Sequence, residues 1–255
     1  MSPAELYLDL LIRAIANTIY GDPPIAPGQD KKFKLRDRER GKDWPQQAHS
    51  MIGLRRLENL RDLCLTVIDE SIPGDFIETG VWRGGACILM RGVLAARDDK
   101  SRRVWVADSF QGLPPPDAAK YPLDAGYNFH EFPQLAISLE QVRSNFAAYG
   151  LLDEQVRFVK GWFRDTLSTI PAERFALIRL DGDLYESTIQ ALDALYPKLS
   201  PGGFCIIDDY EIAACRQAVA DYRKAHGIEA PMKAIDWTGS YWRKPLSVSE
   251  PTILK

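Results

Sequence analysis

The chain has 255 residues, a formal net charge of −3, and 45% hydrophobic and 26% charged residues. That is the composition of an ordinary globular protein, long enough to bury a sizeable core, with no charge excess that would mark a nucleic-acid partner and no apolar run approaching a membrane span. Four cysteines without metal-ligand spacing (Cys64, Cys87, Cys205, Cys215) and a start, Met1-Ser-Pro-Ala-Glu5, unlike a signal peptide predict reduced buried thiols in a cytoplasmic protein.

Leu6, Leu10, Ile12, Ala14, Ile15 and Ile19 recur at helical spacing and predict an amphipathic helix over 5–20. From Gly21 to Trp44 the chain turns to Pro and Gly and then to interleaved Lys, Arg, Asp and Glu. That composition predicts a solvated, mobile segment, with a flap over a ligand site as its functional reading. A helix is expected over Met51–Ser71. Beyond it, short apolar runs alternate with helical stretches, as in α/β proteins. Strands are expected at Asp75–Thr79, Arg103–Ala107, Val156–Lys160, Phe175–Leu180 and Phe204–Ile207. Helices are expected over 84–97, 138–150, 163–170, 186–199 and 211–226. Met232–Asp236 and Tyr241–Lys244, separated by Trp-Thr-Gly-Ser, read as a terminal hairpin. The expected fold is therefore α/β and Rossmann-like: a mostly parallel seven-stranded sheet finished by an antiparallel hairpin, as in class I methyltransferases. The same sheet without the hairpin would fit a dehydrogenase. Two parts are expected, an N-terminal helix and lid segment (1–48) and the main domain (49–255).

Two carboxylate clusters close two consecutive strands: Asp181-Gly182-Asp183 after Phe175–Leu180, and Asp208-Asp209 after Phe204–Ile207. In open α/β sheets, ligands bind beyond the carboxyl ends of the strands. Acids gathered there repel one another unless a cation sits between them, and oxygen donors suit Mg²⁺, Mn²⁺ or Ca²⁺. The alternative is that they cap the helices that follow. The first strand runs into Glu78-Thr79-Gly80-Val81-Trp82-Arg83-Gly84-Gly85, a tight turn that departs from the dinucleotide fingerprint and has no phosphate-cradling lysine. A carboxylate at Glu78 repels pyrophosphate and favours an ammonium or sulfonium. The second strand ends in Asp108-Ser109, where an acid can accept hydrogen bonds from both ribose hydroxyls. Glycine turn and paired acids together fit S-adenosylmethionine, with Met51 and Gly161-Trp162-Phe163 as packing candidates around it.

Phe76–Gly85, Ala107-Asp-Ser-Phe-Gln-Gly-Leu-Pro114, Gly161-Trp-Phe163, Arg179-Leu-Asp-Gly-Asp-Leu-Tyr-Glu-Ser187 and Ile207-Asp-Asp-Tyr210 resemble the macrocin O-methyltransferase family. The resemblance implies S-adenosylmethionine, Mg²⁺ and a deoxysugar hydroxyl on a small-molecule glycoside as acceptor, with a homo-oligomer as a further possibility. By matching position it implies Asp181, Asp208 and Asp209 as metal ligands. By the same matching Glu78 and Asp108 are its cofactor-binding acids, and the full cofactor set expected is Met51, Glu78, Gly80, Trp82, Asp108, Ser109, Gln111, Gly161, Trp162, Phe163 and Asp181. Asp181, doubling as base, and its neighbour Asp183 are the catalytic candidates, with His130 a third. Three rivals stay open on the residues alone: a catechol-type metal-dependent methyltransferase, a metal-dependent hydrolase, and a non-enzymatic binding module. Residues 115–137 match no particular acceptor.

Overall fold

The computed structural model describes residues 1–28 and 30–246. Five strands, β1 (Asp75–Thr79), β2 (Val104–Asp108), β3 (Val156–Lys160), β4 (Phe175–Leu180) and β5 (Leu199–Ile207), are joined by β6 (Lys233–Ala234) and β7 (Ser240–Arg243). They form one seven-stranded sheet in the order β3-β2-β1-β4-β5-β7-β6. β1 to β5 run parallel, and β7 pairs antiparallel with both β5 and β6. The strand order reverses between β1 and β4, so a crevice opens at their carboxyl ends.

Alternation along the strands divides the core between the two faces of the sheet. Phe76, Val104, Val106, Phe204 and Ile206 pack on one side with helices α1 (Pro3–Ile15), α3 (Gly53–Asp69), α4 (Gly85–Ala96) and α5 (Leu139–Ala148). Ile77, Trp105, Ala107, Cys205 and Ile207 pack on the other with α7 (Tyr185–Leu195) and α8 (Ala213–Ala225). The N-terminal helix thus shares its core with the main domain. All four cysteines are buried free thiols. Among the described residues, no helix is long and apolar enough to cross a membrane.

Several boundaries differ from expectation. The first helix stops at Ile15 because Asn17 turns into the left-handed region (φ 48°), leaving Ile19 exposed. β5 begins at Leu199 rather than Phe204; Pro201-Gly202, which reads as a turn, is absorbed by a register irregularity opposite β4. The helix expected over 163–170 is one turn, α6 (Phe163–Thr166), followed by a 3₁₀ turn. The helix over 186–199 ends at Leu195, where a 3₁₀ turn containing Pro197 leads into β5.

The larger correction concerns Gly21–Trp44. Its surface from Asp30 to Arg36 is exposed, but the short helix α2 (Leu35–Glu39) carries Arg38, which is 0% exposed. The Arg38 guanidinium donates to Asp22 (2.8 Å), Asp43 (2.9 Å) and the Ala16 carbonyl (2.9 Å). The interleaved charges read as a solvated run because composition cannot say which of them bury one another. A buried pair of this kind resists opening, since separating it strands a charge in low dielectric.

Candidate active site

The carboxyl ends of β1, β2, β4 and β5 enclose a cavity of about 390 Å³. Three of the turns leaving these strands hold a non-glycine residue at positive φ: Trp82 (47°), Phe110 (56°) and Asp183 (58°). Such conformations persist only where surrounding structure enforces them, and they cluster at functional sites. Gly80 (φ 79°) is required at its position, because any Cβ there would collide with the Asp181 carbonyl oxygen across the β1–β4 seam.

Two buried arginines organise the acids. Arg179, in the middle of an otherwise apolar run, donates to Asp181 Oδ2 (2.7 Å), to Glu78 Oε1 and to Asp208 Oδ1. Arg56, from α3, pairs with Asp208 Oδ2 and lies 3.2 Å from Asp236. β5 ends at Ile207, so Asp208 and Asp209 lie beyond the regular pleat that would send them to opposite faces. Asp181, Asp208 and Asp209 each offer a carboxylate oxygen within 4.8 Å of the others. Asp209 Oδ2 also accepts the Asp183 amide (3.1 Å).

Six acids (Glu78, Asp181, Asp183, Asp208, Asp209, Asp236) face two arginines (Arg56, Arg179), an excess of four negative charges if all are ionised. Protons bear the consequence. Burial and the neighbouring Asp208 push Asp181 up to about 6. Burial, with Asp181 and Asp208 nearby, pushes Asp183 up to about 8. Asp209 is raised well above the usual carboxylate range, by burial first and by Asp183 next. Clustered hard oxygens short of positive charge are the donor set a Mg²⁺-like cation takes. The residues fit a divalent ion.

At the other end of the cavity, Asp108 accepts the amides of Val81 and Phe110 (2.7 Å each), fixing the turns after β1 and β2, and its Oδ1 also accepts the Ser109 hydroxyl at 3.4 Å. Met51, Glu78, Gly80, Trp82, Asp108 and Ser109 are all on the cavity wall, as are Trp162 and Phe163. Gln111 and Gly161 are not; the Gln111 side chain points to solvent. His130 is exposed and off the wall, its neighbour Phe129 being the one that faces inward. Glu78 also has partners within the protein. Its charge is met by Arg179, its second oxygen accepts the Cys87 thiol (2.8 Å), and burial raises it to about 7.

The model for the macrocin O-methyltransferase family matches residues 4–244. The chain belongs to that family. It is 55% identical over 241 residues to the 8-demethyl-8-(2,3-dimethoxy-α-L-rhamnosyl)-tetracenomycin-C 4′-O-methyltransferase of Streptomyces olivaceus, across 94% of this chain and 92% of that protein. Its identity to the mycinamicin III 3″-O-methyltransferase of Micromonospora griseorubida is 51% over 252 residues, across 96% and 99% of the two chains. The solved structure of the O-methyltransferase NovP is similar throughout, with a TM-score of 0.91, 50% identity and coverage of 95% and 99%. The fold is thus the Rossmann-like methyltransferase fold that the hairpin pointed to.

Sequence reasoning about this macrocin-type O-methyltransferase missed Arg56, Arg179, Asp236 and Asp124. Arg179 alone carried a signal, a lone cation inside a buried strand. Asp124 is 0% exposed and accepts the amides of Tyr185 (2.6 Å) and Glu186 (3.0 Å), more than sixty residues away. Trp44 and Trp237 complete the wall from the N-terminal segment and the β6–β7 turn, where the Trp237 indole donates to the Arg40 carbonyl (2.8 Å).

Proposed function

We propose that the protein transfers a methyl group from S-adenosylmethionine to a deoxysugar hydroxyl, of rhamnose type, on a glycosylated small molecule. The observation that carries this reading is the convergence of Asp181, Asp208 and Asp209 beside a glycine turn that lacks a phosphate cradle. S-adenosylmethionine supplies the electrophilic methyl group. Asp181, Asp208 and Asp209 would hold a divalent ion, which would supply Lewis-acid activation of the acceptor hydroxyl.

The chain's own residues do the rest. Asp108 and Ser109 receive the ribose, and Met51, Trp82, Trp162 and Phe163 enclose the remainder of the cofactor. Asp183 faces the same cavity and, among the described residues, makes no side-chain ion pair, so it takes the hydroxyl proton onto its carboxylate. Arg179 and Arg56 hold Asp208 from two sides, fixing where its oxygens point. Trp44, Phe129 and Trp237 reduce the water around the reacting groups. Much of the acceleration then comes from alignment.

The test is methyl transfer to a panel of rhamnosyl glycosides and catechols, followed by mass spectrometry, with Mg²⁺ or with excess EDTA. Glycoside methylation that stops in EDTA and returns with Mg²⁺ is expected. Methylation of catechols alone would overturn the acceptor assignment. Full activity in chelator at near-zero metal content would overturn the metal.

A further inference from the structure

The segment 115–137 separates β2 from α5 and contains three 3₁₀ turns and no longer element. Nearly all of it is exposed or half-exposed, and Asp124 is its only fully buried residue. Helix α7 opens at Leu184, which offers no capping side chain. Asp124 supplies the missing acceptors from across the cleft, one oxygen for the Tyr185 amide and the other for that of Glu186. A carboxylate that satisfies two first-turn amides also meets the positive end of the helix dipole.

What this contact joins is informative. The first two turns of α7 place Glu186, Ser187 and Gln190 on the cavity wall, and the helix begins two residues after Asp183. The segment itself places Phe129 on that wall, and Leu135 with it. Its far end is pinned as well: the Trp82 indole donates to the Gln134 carbonyl (2.9 Å), and Phe132 meets Trp44 edge-on at 5.5 Å. One strap therefore spans from the cofactor turn to the turn carrying Asp183.

We propose that Asp124 is a positioning residue for methyl transfer. It sets the orientation of the Asp183 turn and, by seating the 115–137 strap against α7, it closes the wall that meets the acceptor. This rests on the acceptor and base assigned above. Loss of the contact loosens the acceptor side of the cavity and leaves the cofactor side, built on Asp108 and Gly80, in place.

Three variants test it: Asp124→Asn, which keeps one acceptor oxygen; Asp124→Ala, which keeps none; and Asp117→Asn, an exposed residue of the same strap, as control. Hydrogen exchange by mass spectrometry, calorimetry with S-adenosylhomocysteine and acceptor kinetics are read together. Exchange in peptides covering 115–137 and 184–188 should accelerate about tenfold or more in Asp124→Asn, the ratio expected for one lost charge-assisted hydrogen bond. Acceptor KM should rise and kcat fall in the order wild type, Asn, Ala, with S-adenosylhomocysteine affinity within about twofold of wild type, since that subsite rests on other contacts. Asp117→Asn should match wild type throughout. Unchanged exchange and kinetics in Asp124→Asn would overturn the proposal. Cofactor affinity falling in step with acceptor kinetics would do so too, by showing a general structural role. If wild type methylates no glycoside, the acceptor assignment falls; unchanged exchange in Asp124→Asn would then overturn the strap, and acceleration confined to the two peptides would support it.

Discussion

Removing divalent metal should make the stability of this protein fall as pH rises through the neutral range. Asp181, Asp183 and Asp209 all bind protons more tightly in the folded chain than their ordinary value of 3.8. Between that value and the raised ones, the native state holds more protons than the unfolded state, so stability is highest on the acid side and is lost as the groups ionise. For Asp181, a move from 3.8 to about 6 corresponds to about 3 kcal/mol. Its side chain is 24% exposed, so solvent screening reduces this to about 1–2 kcal/mol. At about 2–4 °C per kcal/mol for a chain of this size, the melting temperature should drop by roughly 2–8 °C from this group. Asp183 and Asp209 lower it further toward the alkaline end. Mg²⁺ held by the ionised cluster should reverse the loss and displace protons into solution. Scanning calorimetry from about pH 4 to about pH 8, with EDTA and with Mg²⁺, reads the first effect; titration calorimetry in buffers of different ionisation enthalpy reads the second. A metal-free melting temperature that stays flat over this range, or Mg²⁺ binding without proton release, would refute the reasoning.

Asp183→Asn should lower kcat by about 100-fold or more, the usual range for a lost general base, while calorimetric affinity for S-adenosylhomocysteine stays put; a drop of less than tenfold would move the proton to another group. Asp108→Ala should weaken S-adenosylhomocysteine binding by about 1–3 kcal/mol, and an unchanged affinity would count against the ribose assignment. Arg38→Met leaves Asp22 and Asp43 buried without their partner and should cost about 3–5 kcal/mol in urea unfolding. Wild-type stability in that variant would return Gly21–Trp44 to the status of a passive tail.

The strands and their terminal acids were legible because each is local: an apolar run, a glycine or proline, then a carboxylate. What resisted reading depends on partners distant in sequence. Nothing near Asp124 announces that it caps a helix starting at Tyr185, and Arg56 meets Asp208 across 152 positions. Arg38 was hidden differently, because a buried ion pair and a solvated charge run have the same composition. Glu78 lies on the cavity wall, but its pairing with Arg179 was not legible, since it depends on the register of β1 against β4. Pro201-Gly202 misled because a bulge inside a strand and a turn before one call for the same residues.

Gly80 has a consequence for how such a protein can change. Its backbone lies against the Asp181 carbonyl on the two innermost strands, with no room for a methyl group between them. The turn proposed to receive the methyl donor and the turn that begins the carboxylate cluster are therefore mechanically one part. Neither can be shifted to suit a longer or bulkier acceptor without displacing the other. The reach between donor and acceptor is a constant of the scaffold, and any change in acceptor range has to be made at the rim, where Phe129, Trp44 and Trp237 come from three separate segments of chain.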